Sequence, residues 1–470
     1  MRMGRHGAIR MAASALALLA AGCAATPEVA ARRAPAVLAL PPMKTFAPVP
    51  ARAPTRANAE IARDFLDLSF RMESGRDLAV LSRFEGPVSI RLAGAAPPHA
   101  AEDLAALIAR LRAEAGIDLR TAGADEAAAI TIEFVTRAQL QRQVPQAACF
   151  VVPNVDGWRA FRGARRSSAL DWAEVHERHR AAIFVPADTS PQEVRDCLHE
   201  ELGQALGPLN DLYRLSDSVF NDDNFHTVLT GFDMLVLRAY NDPALASGMD
   251  RATVAARLPA ILARLNPAGE RVPPRPAMRE TPRAWTEAIE TALGPRASPE
   301  TRRAAAGRAV GIATATGWAD GPPDARMAFS LFVLGRLALS RESALAVGSL
   351  ARARALYAAL PDAGIHAAHI DLQMAAFALA SNRPAEALRL IDTALPAVRE
   401  GQNAALLATL LMLRAEALEL RGARAEAAAA RLDSLGWARY GFGSEAEVRA
   451  RLDEIAFLAP HPDRTSAEGS

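Results

Sequence analysis

Glu200, Glu201, Gln204 and Asn210 are the residues of this chain whose types and spacing could do chemistry. Glu200 and Gln204 stand four apart, so on a helix one side chain lies above the other on a single face. Glu201 follows Glu200 and points about 100° further around the axis. Gly207 and Pro208 then stop the helix, with the glycine expected in the left-handed conformation, and the chain turns back so that Asn210 can approach the same point. Two oxygen-bearing side chains on a helix and a third beyond the turn could converge on one metal ion. Zinc, however, prefers imidazole and thiolate, so one carboxylate and two neutral amides disfavour it as the cofactor. A hard ion such as Ca²⁺ accepts oxygen ligands but usually takes more of them. The other use of such a set is a polar network in which amides and carboxylates satisfy one another and the turn backbone. His199 is an alternative ligand, read with Glu200 as the start of H-E-x-x-H. Position 203 is Gly, so its partners would have to come from His226, Asp222 or Asp223.

These residues need a helix to carry them and a sheet to support it. Residues 190–193, Ser-Pro-Gln-Glu, predict a capping box with proline at the first helical position. Val194, Cys197, Leu198, Leu202 and Ala205 form an apolar stripe for packing on a sheet. Upstream, residues 60–70 predict a helix, residues 88–92 an alternating strand, and residues 100–115 an amphipathic helix. Residues 130–135 alternate again, while 149–152 and 182–185 are short apolar runs that suit interior strands. Residues 154–179 read as polar and irregular, with Trp158 and Trp172 as anchors and His176 and His179 on a solvated turn. Beyond Asp211 the next helix is expected to start near Gly231. No phosphate-binding glycine loop and no G-x-S-x-G elbow occurs.

From Glu200 the chain reads E-E-x-x-Q-x-x-G-x-x-N-D. This has the spacing of the long zinc-peptidase motif H-E-x-x-H-x-x-G-x-x-H with each histidine replaced. Residues 218–222, Ser-Val-Phe-Asn-Asp, resemble the turn that follows that motif in matrixin-type metzincins, with Phe220 near the place of the methionine. Leu229-Thr230-Gly231-Phe232-Asp233, with Tyr240 further on, resembles their final helix. The chain is similar, more closely, to a family of uncharacterised bacterial envelope lipoproteins marked by H-E-E-x-x-Q-A-L-G, N-D and S-x-F-N-D segments. Here these are His199 to Gly207, Asn210-Asp211 and Ser218 to Asp222. That family brings no known activity. The resemblance implies an α+β metzincin-like domain, a twisted mixed sheet with a long motif helix. In it Glu200, Gln204 and Asn210 hold the metal places, altered or empty, and Glu201 the base place. The expected function is therefore a degenerate metallopeptidase-like domain acting as a non-catalytic or altered-metal binding or assembly module. The alternative is an active metal-dependent peptidase or other hydrolase using Glu201 as base.

The ends of the chain bear on location. A basic start, an apolar run over residues 11–21 too short for a permanent span, and Leu19-Ala20-Ala21-Gly22-Cys23 resemble a lipoprotein signal with lipidation at Cys23. Ala24 after it favours the outer membrane, facing the periplasm. Residues 23–58 are rich in Ala and Pro and read as a tether. Cys149 and Cys197 remain, a plausible disulfide in an oxidising envelope or else two buried thiols. A net charge of +1 over 470 residues gives no reason to expect nucleic acid; the expected partners are the membrane and an envelope protein or peptide. Domains are expected at 59–245 and, after a linker with helices at 246–300, at 301–460, before a tail at 461–470. Over 301–460, paired helices recur at about forty residues and resemble tetratricopeptide-type repeats, or form an irregular bundle.

Overall fold

The computed structural model describes residues 40–47, 50, 52–123, 125–145 and 147–460. The signal peptide, Cys23, most of the tether and the tail at 461–470 lie outside the described residues. Two compact units form: the described residues of the first fall within Pro48–Thr189 and Glu193–Glu280, and those of the second within Ala13–Ala47, Ser190–Gln192 and Thr281–Ser470. An α+β region followed by an all-helical one is the layout that the hydrophobic periodicity predicts.

The first unit opens with α1 (Asn58–Ser69), then β1 (Val88–Gly94) and α2 (Ala100–Arg110), which continues as one wider π turn over Leu111–Ala115. Next come β2 (Leu119–Thr121), β3 (Ile130–Val135), α3 (Arg137–Gln143), β4 (Phe150–Pro153), α4 (Trp158–Ala164) and β5 (Ala181–Pro186). The motif helix is α5 (Pro191–Leu206), and α6 (Gly231–Tyr240) and α7 (Arg251–Leu265) follow. The strands form one sheet in the order β2-β1-β3-β5-β4, parallel except for β4, which runs antiparallel on β5. Pro153 can sit in β4 because that strand is an edge.

β5 lies inside the sheet and is buried along its whole length, which explains its unbroken apolar sequence. Its side chains alternate between two cores. Ile183 and Val185 join Ile90, Ile132, Val194, Leu198 and Leu202, so the apolar stripe of α5 lies on this face. Ala182 and Phe184 face a smaller cluster with Leu140, Trp158 and Phe161, in which the Trp158 and Phe184 rings meet edge-on at 5.0 Å. β2, α3 and α4 carry too few residues for a periodic signal, and so the sequence does not announce them. Cys149 and Cys197 are joined in a disulfide, which fastens the start of the edge strand to the motif helix.

The second unit contains α8 (Arg283–Leu293), α9 (Pro299–Ala315), α10 (Ala325–Ala338), α11 (Ser343–Ala358) and α12 (Gly364–Ala380). It ends with α13 (Pro384–Glu400), α14 (Ala404–Leu420), α15 (Arg424–Phe442) and α16 (Glu445–Leu458). The repeat is visible in the turns. Asn382 and Gly422 close equivalent hairpins with φ of 54° and 77°. At the first, the Arg383 and Asn382 amides donate back to Ala378 and Leu379 at 2.8 and 3.0 Å. At the second, the Ala423 and Gly422 amides reach Leu418 and Glu419 at 3.0 and 2.9 Å. This paired bonding satisfies the last helix carbonyls and needs a residue that tolerates positive φ. Among the described residues no helix is long and apolar enough to cross a membrane.

Candidate functional site

The C-terminal end of α5 carries the candidate residues, and a buried arginine holds it. Arg178 lies between the exposed His176 and His179 and is itself 2% exposed. Its guanidinium donates to the carbonyls of Gln204 and Ala205, each at 2.8 Å, and of Gly207 at 2.6 Å. It also reaches the Ser82 and Tyr240 hydroxyls at 3.3 Å. A cation on the last carbonyls suits the negative end of the helix dipole, and the planar fork serves three acceptors at once. Burial pulls the Arg178 pKa below its ordinary value. The sequence offers no periodic cue to this residue.

Gly207 corrects one expectation: its φ lies outside the left-handed range. A Cβ there would lie 2.5 Å from Leu237 Cδ2, so the crowding side chain of α6, rather than a left-handed cap, is what favours glycine. Gly203 is crowded as well. A side chain would meet the Phe220 ring at 3.1 Å and Leu229 at 3.3 Å. Phe220, fully buried, therefore packs beneath the motif helix where a second histidine of the shifted frame would attach.

The ligand places are engaged by protein groups. Gln204, 4% exposed, directs its amide Nε2 at Asp211 Oδ2 (3.3 Å) and Glu73 Oε1 (3.5 Å). Asn210, also 4% exposed, donates Nδ2 to the Asp67 carbonyl of α1 at 2.9 Å. Glu201 is wholly buried and Glu200 half-buried; an oxygen of each lies within 4.8 Å of the other and of the Cys149 sulfur. That sulfur is committed to the disulfide and is no thiolate ligand. His199 Nδ1 accepts from the Leu229 amide at 3.1 Å. Burial, aided by Arg195 and Arg110, holds its pKa well below the ordinary imidazole value. Two of the residues the shifted frame would recruit are bonded elsewhere. His226 Nε2 bonds the Ser216 carbonyl at 3.0 Å, and Asp223 accepts from Asn221 at 2.9 Å and from the Phe225 amide at 3.1 Å.

The turn after the motif is built on Asp233. Thr230 and Asp233 form a capping box at the start of α6, and the same carboxylate accepts from the Thr230 amide at 2.7 Å and the Val219 amide at 3.1 Å. The Ser218 hydroxyl donates to it as well. Asn221 Nδ2 closes the turn on the Leu215 carbonyl at 2.6 Å. Leu-Thr-x-x-Asp and Ser-x-Phe-Asn-Asp are thus two halves of one bonded unit that seats Phe220 under α5.

A zinc ion does not fit the residues at 200, 204 and 210, since one carboxylate and two neutral amide oxygens offer neither the imidazole nor the thiolate that it prefers. A different oxygen set exists. Glu73, Asp211 and Asp222 bring carboxylate oxygens within 4.8 Å of one another, beside the Gln204 amide. Three carboxylates suit a hard divalent cation, though fewer than it usually takes. Among the described residues His199 belongs to neither acidic group.

A search of curated proteins finds no match to this chain. The family comparison does find one, over the stretch that begins with α1 and contains the sheet, the motif helix and the Asp233-bonded turn. Residues 58–260 match the model of a family described as a protein of unknown function (DUF2927), so the first unit carries a DUF2927 domain.

Proposed function

We propose that this domain is a degenerate, metzincin-like peptidase relative that binds a protein or peptide and does not cleave it. It is carried on an envelope lipoprotein anchored through Cys23, with the helical unit contributing to assembly. The observation that carries this reading is the use of the former ligand places. Gln204 joins α5 to the acidic turn and Asn210 joins that turn to α1, so side-chain amide hydrogen bonds do the stapling that a metal would do. The mixed sheet and the long helix after β5 accord with what the resemblance implies, and Phe220, near the place of the methionine, packs against Gly203 of that helix. The carboxylates of Glu73, Asp211 and Asp222 support an altered-metal form of the same module, in which a hard cation reinforces the turn.

The test compares unfolding of Gln204→Ala, Asn210→Ala and Glu201→Gln. The first two lower the denaturant midpoint in chelator-treated protein, because they break bonds that hold without metal. Equal stability of the two alanine variants and the parent would remove the support for a metal-free staple. Membrane attachment is tested by Cys23→Ser, which should release the protein to the soluble fraction.

A further inference from the structure

The second unit includes a stretch that composition reads as tether. Residues 40–47 run without regular secondary structure along α15 and are bonded to it at several points. The Lys44 amide donates to the Gly436 carbonyl at 3.0 Å, and Arg439 donates to the Pro41 carbonyl at 2.8 Å. The Lys44 ammonium pairs with Asp433 and lies 5.8 Å from the centre of the Trp437 ring. Phe46 packs on the same indole with ring centres 4.5 Å apart. Asp433, Gly436 and Trp437 recur at helical spacing, so these contacts lie along one stripe of α15. Gly436 leaves room for the stem of Lys44, since a Cβ there would stand 2.9 Å from Lys44 Cγ. Lys44 is the single lysine of the sequence, every other basic residue being arginine.

We propose that this stripe of α15 is a peptide-docking face that reads Lys-x-Phe in an extended segment, and that its occupant is the chain's own residues 41–46. Three kinds of contact set the recognition: main-chain bonds fix the extended backbone, Asp433 and the Trp437 face read the ammonium, and the indole reads the phenyl ring. The site fastens the tether to the helical unit and is independent of what the α+β unit binds.

The single lysine makes the test direct. A lysine-specific endopeptidase applied to the full chain cuts only after Lys44, at a rate that follows the fraction of time the segment is released. Asp433→Ala, Phe46→Ala and Gly436→Leu should each speed that cut, Gly436→Leu by about tenfold or more, with the thermal melt of the helices retained. The rate should not change on dilution, because the occupant belongs to the same chain. Equal cleavage rates in parent and all three variants would overturn the proposal. So would protection that is lost on dilution, which would make the occupant another copy's segment.

Discussion

At the scale of single residues, the site rests on side chains that satisfy buried backbone or one another. Arg178→Ala removes a guanidinium serving three helix-end carbonyls and should cost about 3 kcal/mol or more in denaturant unfolding. Arg178→Lys should recover little, because one ammonium cannot span the same fork. Gln204→Ala leaves the Asp211 and Glu73 carboxylates facing one another without an amide between them and should cost about 1–3 kcal/mol. The motif spacing was legible because helix geometry dictates which residues share a face. Arg178 was not legible, since one arginine between two exposed histidines looks solvated until the chain folds back. Gly207 shows a related limit: glycine after a helix suggests a left-handed cap, whereas here the Leu237 side chain crowds the position.

At the scale of elements, alternation located β1 and β3, short apolar runs located β4 and β5, and the capping sequence with its apolar stripe located the motif helix. β2, with three residues, and α4, with seven, are held by tertiary contacts and carry no pattern of their own. The end of α6 is closed by another arginine. Arg83 donates to the carbonyls of Tyr240 and Asp242 at 3.1 and 3.0 Å, and its remaining nitrogens hold Glu85. Bonding to Arg83, followed by the Ser247 amide, brings the Glu85 carboxyl down to about 2. An unfolded glutamate titrates near ~4.3. The clamp is therefore fully stabilising above that value and is lost as pH falls from there toward about 2. Because Glu85 is partly solvated, the contribution is about 1 kcal/mol or less. Acid unfolding of Glu85→Gln should show a shallower pH dependence in this window, and an unchanged slope would count against the clamp.

At the scale of the whole molecule, the order of an α+β region and then helical hairpins followed from where period two gives way to period 3.6. The disulfide was open in the sequence, because spacing alone does not distinguish a bridge from two buried thiols. The structure joins Cys149 to Cys197 across 48 residues, and loop-closure entropy puts its stabilisation at up to about 4 kcal/mol. A thiol probe should therefore label neither of these two cysteines in unreduced, denatured protein, and prior reduction should lower the unfolding midpoint. Under the proposed function, a polar network stands where a peptidase of this frame would hold zinc. Zinc content of the native protein, measured together with peptide hydrolysis in parent and Glu201→Gln, tests it most directly. A non-cleaving module should hold substoichiometric zinc and show no hydrolysis in either protein. One equivalent of zinc, with hydrolysis that Glu201→Gln abolishes, would contradict it.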